Sequence, residues 1–185
     1  MGISIARKIE RGIRYALLSV FVAGVRRRNP GAVVNAVVAA IGTHLPDFVE
    51  WVFDVELRPW QRVYVDTAMI THAVGMLGPY DEVWWWDHLT HAHSATILGS
   101  IVFAISRRRG RDPRPRVVAV VACLGVLWEL LEYAIHVVAR RVGVEPILVT
   151  YGPKDTALDL FFDLVGAALV LAFGDRVLAN LSTEA

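Results

Sequence analysis

The chain has 185 residues, 55% of them hydrophobic and 20% charged, with a net charge of +1. Its mean hydropathy is +0.46, whereas an ordinary soluble domain is about 45–50% apolar and about 25% charged. That excess of apolar residues excludes a disordered chain, a coiled coil and a disulfide scaffold, and points to a multi-pass membrane protein.

Because the charges nearly balance, the basic clusters Arg26–Arg28 and Arg107–Arg116 are expected to set topology rather than bind nucleic acid. The single cysteine, Cys123, permits no internal disulfide and is expected to be a small core residue. No small-x-small site stands clear of the Arg26–Arg28 block, so the N-terminal apolar run is expected to be an anchor rather than a cleaved signal. The sequon at Asn180 falls in a tail expected on the inside, which discounts it.

Six apolar stretches follow in chain order, at about 13–25, 31–53, 63–77, 83–105, 117–139 and 156–178. Runs near 20 residues exceed strand lengths, and only helices or closed barrels span lipid. The expectation is an all-α polytopic transmembrane bundle of about six helices, forming a single integral membrane domain over 1–185. Stretches 13–25 and 63–77 are the shortest, and either can lie in the interface instead of crossing. The second stretch opens after Asn29-Pro30-Gly31 and contains Pro46, which can kink it. Basic residues gather at the N-terminus, at Arg58 and Arg62, and at Arg107–Arg116, all on one side of a six-span chain. The positive-inside rule then places both termini in the cytoplasm, with Arg26–Arg28 as the dissenting block.

Ionisable groups within spans cost about 2.5–3.5 kcal/mol each at the helix centre, yet three stretches keep several. The last stretch carries Asp155, Asp159 and Asp163 at i, i+4 and i+8, a stripe about 80° wide. The fifth carries Glu129, Glu132 and His136 at i, i+3 and i+7. The fourth opens Trp84-Trp85-Trp86-Asp87-His88, then His91, His93 and Ser94. Asp87, His91 and Ser94 share one face, His88 lies about 100° away, and His93 is roughly opposite. The tryptophans suit an interfacial belt. With a rise of about 1.5 Å per residue, the polar groups of all three helices fall in one layer of the outer half. His72 reaches a similar depth, and Asp66 lies deeper. His44 and Asp47 miss that layer unless Pro46 bends the second stretch.

So many carboxylates in low dielectric cannot all ionise without cations. Some are protonated, or Arg140, Arg141 and Lys154 pair with the shallower ones, or a divalent metal sits among them. Carboxylates with one or two imidazoles suit Zn, Mn, Mg or Fe. The expected ligands are Asp87, His91, Glu129, Glu132 and Asp159. Asp155 and Asp163 are expected as catalytic acid/base or supporting groups, and His72, His88, His136, His44 and Asp47 as possible additions. A hydrogen-bonded network that only ties the helices together is the plainer alternative, and Asp155 also suits a helix N-cap.

Trp86-Asp87-x3-His91, Trp128-Glu129-x2-Glu132-Tyr133 and Tyr151-Gly152-x2-Asp155-Thr156-x2-Asp159-x3-Asp163-x2-Gly166-Ala167 together resemble the YjdF-like family of small polytopic membrane proteins. More distantly, they resemble VanZ-like proteins. The resemblance covers about 40–175 and implies membrane location and the importance of Asp87, His91, Glu129, Glu132, Asp155 and Asp159. It implies no reaction. The family pattern has Asn where this chain has Asp163. His44-Leu45-Pro46-Asp47 with Asp87-His88-x2-His91-x-His93-Ser94 is also similar, more weakly, to YdjM-type membrane-bound metal-dependent hydrolases, which would supply a metal and hydrolysis.

Three functions fit these residues. One is a metal-dependent hydrolase or transferase on a lipid or lipid-linked substrate. The second is a proton- or metal-ion-coupled transporter. The third is a structural or accessory protein, with Ala92, Thr96 and Ser100 as an oligomer seam. The expected partners are the bilayer and such a lipid, without nucleic acid, and an oligomer is possible.

Overall fold

The computed structural model describes residues 2–182, and every regular element among them is helical. In chain order these are α1 (Gly2–Arg27), α2 (Pro30–Gly42), α3 (Leu45–Phe53), α4 (Pro59–Gly75), α5 (Pro79–Glu82), α6 (Trp86–Arg108), α7 (Pro113–Val142), α8 (Pro153–Val177) and α9 (Ala179–Ser182). Pro stands in the first turn of six of them, α2 through α5, α7 and α8, where its missing N–H costs nothing.

Four segments are long and apolar enough to cross a membrane: Pro30–Phe53, which joins α2 and α3, then α6, α7 and α8. Residues 13–25 lie within α1, and the stretch 63–77 is helical in α4 as far as Gly75, but neither helix is among the four. The physical reason is charge in α1 and length in α4, which has only 17 residues. Helix α1 carries Arg7, Lys8, Glu10, Arg11 and Arg14, and α4 carries Arg62 and Asp66. The second stretch does break, at Thr43-His44, one residue pair ahead of Pro46.

The helices group into two compact units divided between Trp86 and Asp87. In the first, α1 packs on α2 and α4, and α2 packs on α4. Leu17, Val20, Ala36, Ala39 and Ala73 form its core. Asn29 caps α2 by accepting from Ala32 N at 2.9 Å, and donates to Met76 O at 2.9 Å. Beside the core lies an ionic group. Arg62 donates to Glu10 at 3.0 Å, to Glu50 at 2.7 Å and to Asp47 at 2.5 Å. Glu50 also accepts from Leu57 N, which ties down the link before α4.

Asp66 is 1% exposed, and neither of its carboxylate oxygens has a hydrogen-bond partner among the described residues. It lies on α4, outside the four spanning segments. Burial, reinforced by Glu10 and opposed by Arg14 and Arg62, raises its pKa to about 6. A carboxyl that holds its proton more tightly when folded than unfolded loses stability as pH rises between the two values, from about 4 to about 6. The cost is complete above that window, on the order of 3 kcal/mol. Asp66→Asn is therefore expected to unfold at a higher temperature than wild type at pH 8, and the gap is expected to close towards pH 4. A variant less stable than wild type at pH 8 would contradict this.

In the second unit, α6 and α8 lie side by side and α7 runs back between their ends. His88 and His91, early in α6, meet Asp159 and Asp163, early in α8. Arg107, at the end of α6, meets Asp175, near the end of α8. Small residues permit close approach. A Cβ on Gly166 would lie 2.7 Å from the Ala92 carbonyl oxygen and 2.8 Å from the Ala95 Cβ. Phe103, Val117, Val121 and Val170 fill the interior. Leu124, Leu127, Leu130 and Leu131 of α7 stay exposed, as a lipid-facing surface requires. Cys123 is exposed on that same helix, so the expected core position is incorrect; its neighbours Val121 and Gly125 are the residues that turn inward.

Candidate functional site

The site is built from the first turns of α6, the first three turns of α8 and the later half of α7. Gly152 precedes α8, and Asp155, Asp159 and Asp163 then fall on one stripe, as their spacing predicts. Asp159 is 2% exposed and Asp163 5%. His88 Nδ1 lies 2.8 Å from Asp159 Oδ1, and the imidazole stacks on Phe162 with centroids 5.1 Å apart. His91 Nδ1 lies 3.2 Å from Asp163 Oδ1. Its other nitrogen, Nε2, faces Asp87 at 3.9 Å and Glu129 at 3.8 Å.

That arrangement decides the role of each nitrogen. A carboxylate accepts only, so the Nδ1–H of His91 donates to Asp163. The Nε2 then faces Asp87 and Glu129, where it carries a proton in the metal-free site and is a ligand in a metal-loaded one. Histidines that ligate metals have this form, with one nitrogen held by a carboxylate and the other presented to the ion. Thr90 fixes Asp87, donating to its carboxylate at 3.3 Å and to its carbonyl at 2.8 Å.

Two sets of side chains can each bring three donor atoms within 4.8 Å of one another. One is Asp87, His91 and Asp159; the other is His88, Asp155 and Asp159. Asp159 belongs to both. These buried groups can hold a metal ion. Glu129 Oε1 and Asp163 Oδ2 are buried without a hydrogen-bond partner among the described residues. No ion pair among the described residues joins Arg140, Arg141 or Lys154 to the cluster. Two imidazoles are thus set against five carboxylates, those of Asp87, Glu129, Asp155, Asp159 and Asp163. In a low-dielectric site the balance must come from protons or a bound cation.

The other candidates lie elsewhere. Glu132 is half-buried on α7 and belongs to neither three-donor set. His136 accepts a long hydrogen bond from Thr150 N, at 3.4 Å, and so ties α7 to the segment before α8. His44, Asp47 and His72 belong to the first unit and have local partners there. His44 pairs with Asp47 at 3.6 Å, and Asp47 with Arg62. His72 Nδ1 lies 2.9 Å from the Tyr80 hydroxyl. Ser94, expected on the Asp87–His91 face, is exposed. The buried ridge of α6 instead runs through His88, His91, Ala95, Gly99 and Phe103. The close approach at Gly166 places this ridge against α8, which brings both histidines onto the aspartate stripe. The positions of Ala95 and Gly99 were the signal for it, since small residues at that spacing mark a packed face.

A Thermotoga maritima protein named only as an uncharacterized protein is 25% identical over 134 residues, which is 68% of this chain and 67% of that protein. No solved structure matches the chain. The described geometry is that of a multi-pass membrane protein with a buried histidine–aspartate cluster. The match over residues 9–180 to the family described as predicted membrane protein (DUF2238) agrees with it, and the chain belongs to that family.

Proposed function

We propose that the cluster holds a divalent metal ion and that the protein is a membrane-embedded hydrolase or transferase acting on a lipid-type substrate. One observation carries the reading: the Nε2 of His91 is presented to Asp87 and Glu129 while its Nδ1 is anchored by Asp163. The proposed ligands are Asp87, His91 and Asp159, with the unpartnered Glu129 Oε1 as a fourth donor and Glu132 at the rim. Zn, Mn, Mg and Fe all accept such mixed nitrogen and oxygen donors. A divalent ion in this place activates water or polarises a phosphoryl or acyl oxygen. The chain's own contribution is positional. Asp163 fixes the tautomer of His91, Asp159 orients His88, and Asp155 is the half-buried carboxyl available to hold a proton at the edge of the cluster. The exposed apolar faces of α7 and α8 suit an approach from lipid. On this reading the cluster lies towards the outer leaflet, both termini are cytoplasmic, and the YjdF-like plan of Asp/His, Glu and Asp on successive helices is a ligand plan.

Metal titration of the detergent-solubilised protein tests the reading. A ligand that binds only the folded state stabilises it by about 2.7 kcal/mol at a hundredfold excess over Kd. Zn or Mn is expected to raise the unfolding temperature of wild type and to leave Asp159→Asn unmoved. A wild type indifferent to Zn, Mn, Mg and Fe would overturn the proposal.

A further inference from the structure

We infer that the opposite end of the second unit is a binding site for an anionic phosphate ester, and that its occupant is the headgroup of an acidic phospholipid. A cavity of about 440 Å³ opens there, where α6 turns into α7 beside the end of α8. It is unconnected with the metal proposal: Asp159 and Asp175 are sixteen residues apart on α8, about 24 Å along the axis.

Phe103 and Leu171 make an apolar floor, and Arg107, Arg111 and Arg114 form the rim together with Asp112 and Asp175. The charges on this rim are unequally engaged. Arg107 donates to Asp175 at 2.6 Å and lies 5.3 Å over the Phe103 ring, so that pair is internally balanced. Asp112 is occupied as the N-cap of α7, accepting from Arg114 N at 3.0 Å. The guanidinium groups of Arg111 and Arg114 make no hydrogen bond to protein among the described residues. They are exposed at the mouth and leave it with a positive surplus.

The position specifies the ligand class. Helix α6 ends and α7 begins at this level, and both are spanning segments. The cavity therefore sits where a bilayer places its phosphates, with an apolar floor below for the first carbons of the lipid. Arginine presents a planar fork that matches phosphate oxygens. Basic clusters beside spans on the cytoplasmic side meet the anionic leaflet. A zwitterionic headgroup satisfies the rim less well, because its ammonium meets the same positive surplus.

Native mass spectrometry of the detergent-solubilised full chain, titrated with phosphatidylglycerol, phosphatidylcholine or inorganic phosphate, tests this. Wild type is expected to retain phosphatidylglycerol in preference to phosphatidylcholine. The double variant Arg111→Gln/Arg114→Gln is expected to bind it roughly tenfold more weakly or worse. Leu171→Trp keeps every charge but fills the cavity, and it is expected to lose the preference as well. Arg140→Gln/Arg141→Gln removes equal charge at the other end of α7 and is expected to behave as wild type. If inorganic phosphate alone binds with the same dependence on Arg111, Arg114 and Leu171, the site stands with a free anion as its ligand. Equal losses in both double variants, full binding by Leu171→Trp, or no preference between the two lipids would each overturn the inference.

Discussion

Replacing His91 by alanine is expected to destabilise the protein by about 3–5 kcal/mol and to abolish metal retention. His91 is the point where three helices converge. Its imidazole touches Asp163 of α8 at 3.2 Å, Glu129 of α7 at 3.8 Å and Asp87 of its own helix at 3.9 Å. Removing one partner of a buried ionic group leaves the other charges uncompensated, which costs about 3–5 kcal/mol. Here three carboxylates lose the same partner. Chemical unfolding in detergent measures the first effect, and metal content after purification the second. His91→Ala protein as stable as wild type would show that the imidazole compensates nothing, and retained metal would remove His91 from the ligand set.

The second large effect concerns packing. Gly166→Val is expected to cost about 3 kcal/mol or more, at or above the upper end of ordinary overpacking. The added Cβ would meet the Ala92 carbonyl oxygen at 2.7 Å and the Thr96 amide nitrogen at 3.1 Å. Both are backbone atoms of α6, so no side-chain rotation relieves the clash, and the helices must separate. Separation would also draw His88 and His91 away from Asp159 and Asp163, so metal affinity is expected to fall with stability. Gly12→Ala is the control. Nothing lies within 4 Å of a Cβ at Gly12, and removing a helical glycine is expected to be neutral or to stabilise by up to about 1 kcal/mol. Equal unfolding temperatures for Gly166→Val and wild type would contradict the close α6–α8 approach.

Much of this was legible in the residues. Periodicity identified helices, and the i, i+4, i+8 aspartates of α8 do present one face to their neighbours. His88 and His91 of α6 meet that face and Glu129 of α7 faces His91, whereas Ser94, Glu132 and His136 do not join them. What sequence misjudged has physical causes. The face of α6 was assigned from its polar groups, Asp87, His91 and Ser94, whereas packing follows the small residues Ala95 and Gly99. That rotates His88 inward and Ser94 outward. Stretch 13–25 looks apolar in isolation, but α1 extends into charged residues, and stretch 63–77 falls in a helix of only 17 residues. The paired charges of the first unit, Arg62 with Glu10, Asp47 and Glu50, join residues up to 52 positions apart. Nothing in local spacing shows such a group. It also explains why His44 and Asp47, which look like part of a metal motif, have partners of a different kind.

The central claim is that the second unit holds a metal ion, and metal content is its most direct test. Untagged protein purified in detergent, exchanged free of loosely bound ions and analysed by inductively coupled plasma mass spectrometry, is predicted to carry close to one equivalent of a divalent transition metal or Mg. Asp159→Asn, which touches both three-donor sets, is predicted to carry almost none while remaining folded. Folded wild type that carries no metal after incubation with Zn, Mn, Fe and Mg would contradict the account, and protons would then be the cations that balance the cluster.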